Sequence, residues 1–185
     1  MEATTVLPMK TMTEYIAQLG AATILHSRTT YLAHAVGVYK YMQSWDADDE
    51  LCRAAMFHSI YGTEGFQDFT LPLDRREEVR ALIGPRAELI AYANCAMDRA
   101  SFFALVDKHQ DRYPIVDRLS GETLDLSNEE FEDLMRLHLC DHLEQVERSG
   151  TWDYNREEVR IMGERLGGAA LASYQSTFAR EPQSA

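Results

Sequence analysis

The residues of this chain best suited to chemistry are its six histidines, His26, His34, His58, His109, His138 and His142. Neutral imidazole is the commonest protein ligand for a transition metal and a ready acid or base near neutral pH. His34 lies inside a helical apolar pattern, near Tyr31, Val38 and Tyr41. His58 closes the run Leu51, Ala54, Ala55, Met56 and Phe57, seven residues after Leu51 and therefore on the same helical face. One imidazole beside an apolar stripe is ordinarily a core residue with its hydrogen bonds satisfied. Two of them on consecutive helices joined by a short turn can enter one pocket, because antiparallel neighbours face each other. His138 and His142 are four apart and share a face. With Asp141 and Glu144 around them they read as a partly exposed charged surface, and His109, in "DKHQDR", reads as a polar loop residue.

Around His34 and His58 the stretch "YLAHAVGVYKYMQSWDADDELCRAAMFHSIYGTE", residues 31–64, resembles the first half of an HD-domain metalloprotein. That superfamily places one histidine on a helix and a histidine–aspartate pair at the end of the next, and a later helix supplies a final aspartate. The separation of 24 residues between His34 and His58 and the lead-in "AAMFH" are of that type. The core "FHSIYGT" is also similar to an uncharacterised bacterial group related to HD domains. The resemblance implies an all-α, single HD-like helical domain and a divalent metal ion (iron, manganese, cobalt or zinc) held by His34, His58 and a distant carboxylate. Asp141 is the candidate for that carboxylate, since among Leu139, Cys140 and Leu143 its desolvation needs a partner; Asp98 is the alternative. The chain departs from the pattern at Ser59, which stands where the motif aspartate would be. A neutral hydroxyl is a poor ligand for a divalent ion, so a dinuclear centre is disfavoured. Three possibilities stay open: one metal on two histidines and a carboxylate, Glu64 replacing the lost aspartate, or a pocket without metal.

The loop after His58 offers Ser59, Tyr61 and Glu64 as candidate catalytic groups, with Glu64 as general base or extra ligand. Thr63 can line the same pocket, and His26 and Arg28, just before the second helix, can donate to an anionic substrate. The first expectation is therefore one-metal hydrolysis of a phosphorylated metabolite or nucleotide. A non-haem iron oxygenase of a small molecule and a metal-free ligand-binding protein are the alternatives.

The elements that must position these groups are mostly helices. "TMTE", Thr11 to Glu14, has the form of a capping box opening a helix to about Ile24. Ser27 can cap the next, in which Leu32, Ala35, Val36, Tyr39 and Met42 recur at helical spacing, and Asp46 or Asp48 can cap the helix of Leu51 to Ile60. Asp74 with Glu77 predicts a short helix ending at Gly84, and Pro85 opens another to about Asp98. Two short runs about Ser120-Gly121 predict a small β-hairpin over about 113–126. Ser127 with Glu130 opens a long helix over about 127–149, and a last one spans about 155–178.

Composition bounds the rest. At 185 residues the chain suits one domain, and its net charge of −12 disfavours nucleic acid and anionic membrane surfaces. No stretch reaches about 18 consecutive apolar residues and no secretory pattern opens the chain, so a cytoplasmic protein with a small-molecule substrate is expected. Cys52, Cys95 and Cys140 form no C-x-x-C pair and read as buried or half-buried reduced thiols. "LGGAALASY" presents a small-residue face on which another helix, or a second copy in a homodimer, can pack.

Overall fold

The computed structural model describes residues 7–26 and 28–182. It is mostly helical with two small antiparallel hairpins. α1 (Met9–Gln18) leads through a 3-10 turn (Ala21–Thr23) into a short hairpin, β1 (Leu25–His26) and β2 (Thr29–Thr30). α2 (Tyr31–Gln43), α3 (Asp49–Met56), α4 (Arg76–Ile83), α5 (Pro85–Ala96) and α6 (Arg99–Phe103) follow. The second hairpin, β3 (Arg112–Val116) and β4 (Thr123–Ser127), precedes α7 (Asn128–Ser149), α8 (Arg156–Leu166) and α9 (Gly168–Phe178).

Capping chemistry starts most of the central helices. The Ala33 N–H donates to the Thr30 hydroxyl at the head of α2, and the Leu51 N–H to the Asp48 carboxylate at the head of α3. Pro85 occupies the first turn of α5, where its missing N–H costs nothing. α7 opens on the full Ser127–Glu130 capping box and closes at Gly150 in the left-handed region. α2 packs on α3 and α7, α3 on α5, and α5 on α7; α8 and α9 then cover the other side of α7. The core they share includes Val38, Met42, Leu51, Met56, Phe57, Ile90, Leu134 and Leu137.

Several expected boundaries move. α1 begins at Met9, so Thr11 and Glu14 lie inside it and form no cap, and it ends before Gly20, whose φ is +79°. The β1–β2 hairpin replaces the expected tail of that helix; Ser27 lies outside the described residues, and Thr30 caps α2. Asp74 falls in a 3-10 turn, Leu73–Arg75, and does not cap α4. Asp98 ends no helix but caps the short α6, accepting from the Ser101 N–H at 2.8 Å. The expected last helix is two helices, because Gly167 and Gly168 take φ of +63° and +49°. Part of the small-residue face is used internally: Gly163, with no Cβ, lets Tyr174 of α9 lie against α8. The three cysteines are buried and free, as expected.

Candidate functional site

His34 reaches the interior because α2 is covered on two sides. It falls three residues after Tyr31 and four before Val38, both buried, and is itself fully buried. His58 is placed by the way α3 ends. At Phe57 the helix opens into successive tight turns, with the Ile60 N–H on the Phe57 carbonyl and the Gly62 N–H on the Ser59 carbonyl. Gly62 supplies a φ of +76° for the exit. The whole run 51–63 is buried, so these turns are held as firmly as a helix. The Asn94 side chain of α5 donates to the His58 carbonyl at 2.8 Å, and Arg118 of the second hairpin ties the Gly62 and Cys95 carbonyls together.

Asp141 comes from the middle of α7, where His138 to Leu143 are all buried. A helix buried on every side is sandwiched between layers, and α8, α9 and the Tyr154 loop form the second layer here. This corrects the expectation that His138 and His142 form a partly exposed face. The His138 ring lies between Asn94 and Tyr154, and His142 lies 5.5 Å from the Tyr154 ring. Burial pulls both imidazoles down, His138 to about 3 and His142 to about 4.

The three polar side chains meet. His34 Nε2 lies 3.1 Å from His58 Nε2 and 3.0 Å from Asp141 Oδ1, and His58 Nε2 lies 3.5 Å from the same oxygen. The outer nitrogens of both rings are committed elsewhere. His58 Nδ1–H donates to the Ala55 carbonyl at 2.8 Å, and His34 Nδ1–H donates to Glu144 Oε2 at 2.6 Å. Glu144 is also paired with Arg148 one turn on. With Nδ1 of each ring so engaged, both Nε2 atoms face inward. Two unprotonated Nε2 atoms and a carboxylate oxygen facing one another would repel, so a proton or a cation belongs among them.

The charge balance agrees. Burial alone would raise the Asp141 carboxyl, but His58 and His34 beside it hold it well below the usual carboxylate range. Burial disfavours charge on His34, yet Asp141 and Glu144 at its two nitrogens push it up to about 9. His58 is lowered, chiefly by burial, with Asp141 partly offsetting. The set therefore prefers one positive charge at its centre. Three ligand atoms about 2.1 Å from one ion stand about 3.0 Å apart at right angles and about 3.4 Å apart at tetrahedral angles. The observed edges of 3.0 and 3.1 Å fall on that interval and the third, 3.5 Å, lies just beyond it, so the residues fit a single divalent cation with little adjustment. Among the described residues this is the one group of three His, Cys, Asp or Glu side chains spaced to hold a metal.

A cleft of about 310 Å³ adjoins the cluster. Two of its walls touch the ligands directly: His26 stacks on the His34 ring with centroids 4.4 Å apart, and Gln145 Nε2 donates to Asp141 Oδ1 at 2.9 Å. Thr63 lines it too, buried as expected, while Arg28 is exposed at the tip of the first hairpin with φ +64° and does not line it. Ser59 is buried, and among the described residues its hydroxyl faces the Tyr31 hydroxyl and no other polar group. Tyr61 turns the other way and donates to Glu88 at 3.0 Å. Glu64 is exposed, and its carboxylate accepts the Arg99 backbone N–H at 2.9 Å. Neither Tyr61 nor Glu64 joins the cluster, and Asp98 is spent on its cap.

Sequence reasoning placed Glu144 on a partly exposed charged face and passed over Gln145 and Arg148. Their signal was only their spacing: they follow Asp141 by three, four and seven residues and so share its helical face. Arg99, on the cleft wall at the head of α6, had no such pattern around it.

A family model described as a domain of unknown function (DUF6817) matches residues 15–99, which contain His26, His34 and His58 but not Asp141. No curated protein and no solved structure matches the chain.

Proposed function

We propose that this protein is a metal-dependent hydrolase of a small phosphorylated metabolite or nucleotide, built on an HD-like helical domain. The observation that supports it is the convergence of two inward-pointing Nε2 atoms and one carboxylate oxygen, with both Nδ1–H groups anchored outside. In this reading His34, His58 and Asp141 hold one divalent cation. When bound, such an ion supplies Lewis acidity, bringing the pKa of a water from 15.7 to about 7 and drawing charge off a phosphoryl oxygen.

The remaining work belongs to the chain. Glu144 and the Ala55 carbonyl hold the two rings at fixed tilt and tautomer. Gln145 keeps Asp141 Oδ1 turned toward the histidines. The cleft admits substrate on the side of His26 and Gln145, and at about 310 Å³ it suits a ligand at the small end of the usual range. Ser59, lacking the charge of an aspartate, leaves a first shell suited to one ion. Glu64, outside the cluster, contributes through the Arg99 backbone.

The same donor set favours a second reading. Two histidines and one carboxylate with open positions are the ligands of ferrous oxygenases. Protein purified without chelators and analysed for metals is the primary test. About one transition-metal ion per chain, lost in both His34→Ala and His58→Ala, supports a metal centre; metal-free wild-type protein rejects both enzyme readings and leaves a ligand-binding protein. Phosphate release with manganese or cobalt, against oxygen consumption with ferrous iron, separates the two.

A further inference from the structure

The cleft beside the cluster carries a pattern that the ligand set does not explain. Among the described residues eight buried side-chain nitrogen or oxygen atoms have no hydrogen-bond partner, and three of them belong to the walls of this one cleft. They are His26 Nδ1, Arg99 Nε and His142 Nε2. A buried donor left unpaired is costly, and native proteins nearly always provide it with a partner. All three can donate, and one is permanently cationic.

Their setting supports a bound anion. Arg99 forms no ion pair with a carboxylate among the described residues, although the protein carries 30 acidic side chains. Its backbone is nevertheless pinned, by the Glu64 carboxylate on its N–H and by the Asp98 cap of the same short helix. Its guanidinium lies 5.4 Å from the Tyr154 ring, which also lines the cleft. His26 and His142 are at least nine-tenths buried; His26 stacks on the His34 ring, and His142 follows Asp141 on α7 with its ring against Tyr154. Asp68, the carboxylate that shares the cleft, is exposed to solvent. A protein of net charge −12 does not attract an anion through its overall field, so local donors of this kind must do it.

We propose that the cleft is the subsite for the phosphoryl group of a small phosphate monoester, with the Arg99 guanidinium supplying charge and His26 Nδ1 and His142 Nε2 donating to the phosphoryl oxygens. The proposal rests on the reading of His34, His58 and Asp141 as a metal-dependent centre, and it adds the groups that select the substrate. The dianionic, tetrahedral phosphoryl group matches three donors on different walls better than a planar carboxylate does.

The experiment is calorimetric titration of inorganic phosphate, and of acetate in parallel, into the intact protein as purified, with the metal content measured on the same samples. Wild-type protein is expected to bind phosphate saturably and acetate far more weakly. Arg99→Gln is expected to weaken phosphate by about tenfold or more, the effect of losing one charge-assisted hydrogen bond, with metal content unchanged. His142→Leu carries the same test should the arginine variant fail to fold, as judged by circular dichroism, and is expected to weaken phosphate while His142→Gln, which keeps a neutral donor, restores most of it. No saturable phosphate binding by the wild type, equal affinity for acetate, or phosphate affinity unmoved in folded variants overturns the subsite. Metal retained while phosphate ignores Arg99 removes the subsite and leaves the metal reading standing. Phosphate binding that depends on Arg99 in a protein without metal does the reverse.

Discussion

His34 Nε2 and His58 Nε2 face each other at 3.1 Å, although they are 24 residues apart and belong to different elements. Neither ring can turn away. His34 is held by Glu144 at its far nitrogen, and His58 by the carbonyl of Ala55 in its own turn. The contact is therefore held by outer bonds rather than by attraction between the rings.

If Glu144 fixes the tautomer of His34, Glu144→Gln should loosen the metal without unfolding the protein. Loss of such a partner costs about 10–100-fold in metal affinity. Competition with a chromophoric chelator measures this, and an unchanged constant would show that Glu144 serves only Arg148.

Gly37 offers a subtler version of the same experiment. A Cβ at this position in α2 would run into the Glu144 carboxylate. Because Ala is favoured over Gly in a helix by about 1 kcal/mol, Gly37→Ala need not destabilise the fold. The expected outcome is a melting temperature near that of the wild type together with weakened metal binding, since Glu144 must leave His34 to make room. Full metal affinity in the alanine variant would mean that Glu144 relaxes without releasing the ring.

Ser59 should be dispensable to the metal. Its buried hydroxyl meets only the Tyr31 hydroxyl among the described residues, so Ser59→Ala removes a poorly satisfied group. Stability is expected to hold or to rise by about 1 kcal/mol, and the metal content to stay the same. Metal lost from a stably folded Ser59→Ala protein would make the serine a ligand after all.

A last expectation concerns the hairpin whose Arg118 steadies the loop after His58. Asp117, where β3 enters the turn, accepts from the Tyr92 hydroxyl at 2.6 Å and from the backbone N–H groups of Leu119 and Ser120. Burial raises its carboxyl, but these donors outweigh burial and hold it below the usual carboxylate range. A carboxyl depressed in the folded state adds stability that is complete above its unfolded value of about 3.9 and is lost as pH falls through the folded value. Asp117→Asn should accordingly cost about 1–3 kcal/mol at pH 7, and the gap between the variant and the wild type should narrow below about pH 4. Urea midpoints at the two pH values give the answer; a gap independent of pH would remove Asp117 from the account.

The sequence by itself determined what local chemistry can determine. The Ser127–Glu130 box, Asp48, Pro85 and Gly150 mark helix ends through bonds made within a few residues, and each stands where its type predicts. Ser120-Gly121 marks the turn of the second hairpin in the same way. His34, His58 and Asp141 were legible as candidates because an ionisable side chain in an apolar pattern must find partners. Tertiary structure alone decided what those partners are. Whether His142 meets water or Tyr154 depends on α8 and α9 folding back over α7, a contact that no periodicity within α7 encodes. Glu64 and Tyr61 are near His58 in sequence, yet the tight turns after α3 send one to the Arg99 backbone and the other to Glu88. Arg99, 41 residues after His58, arrives on the cleft wall through the packing of α5 and the loop before it. Burial and charge act over distances in space, and only the folded chain fixes those.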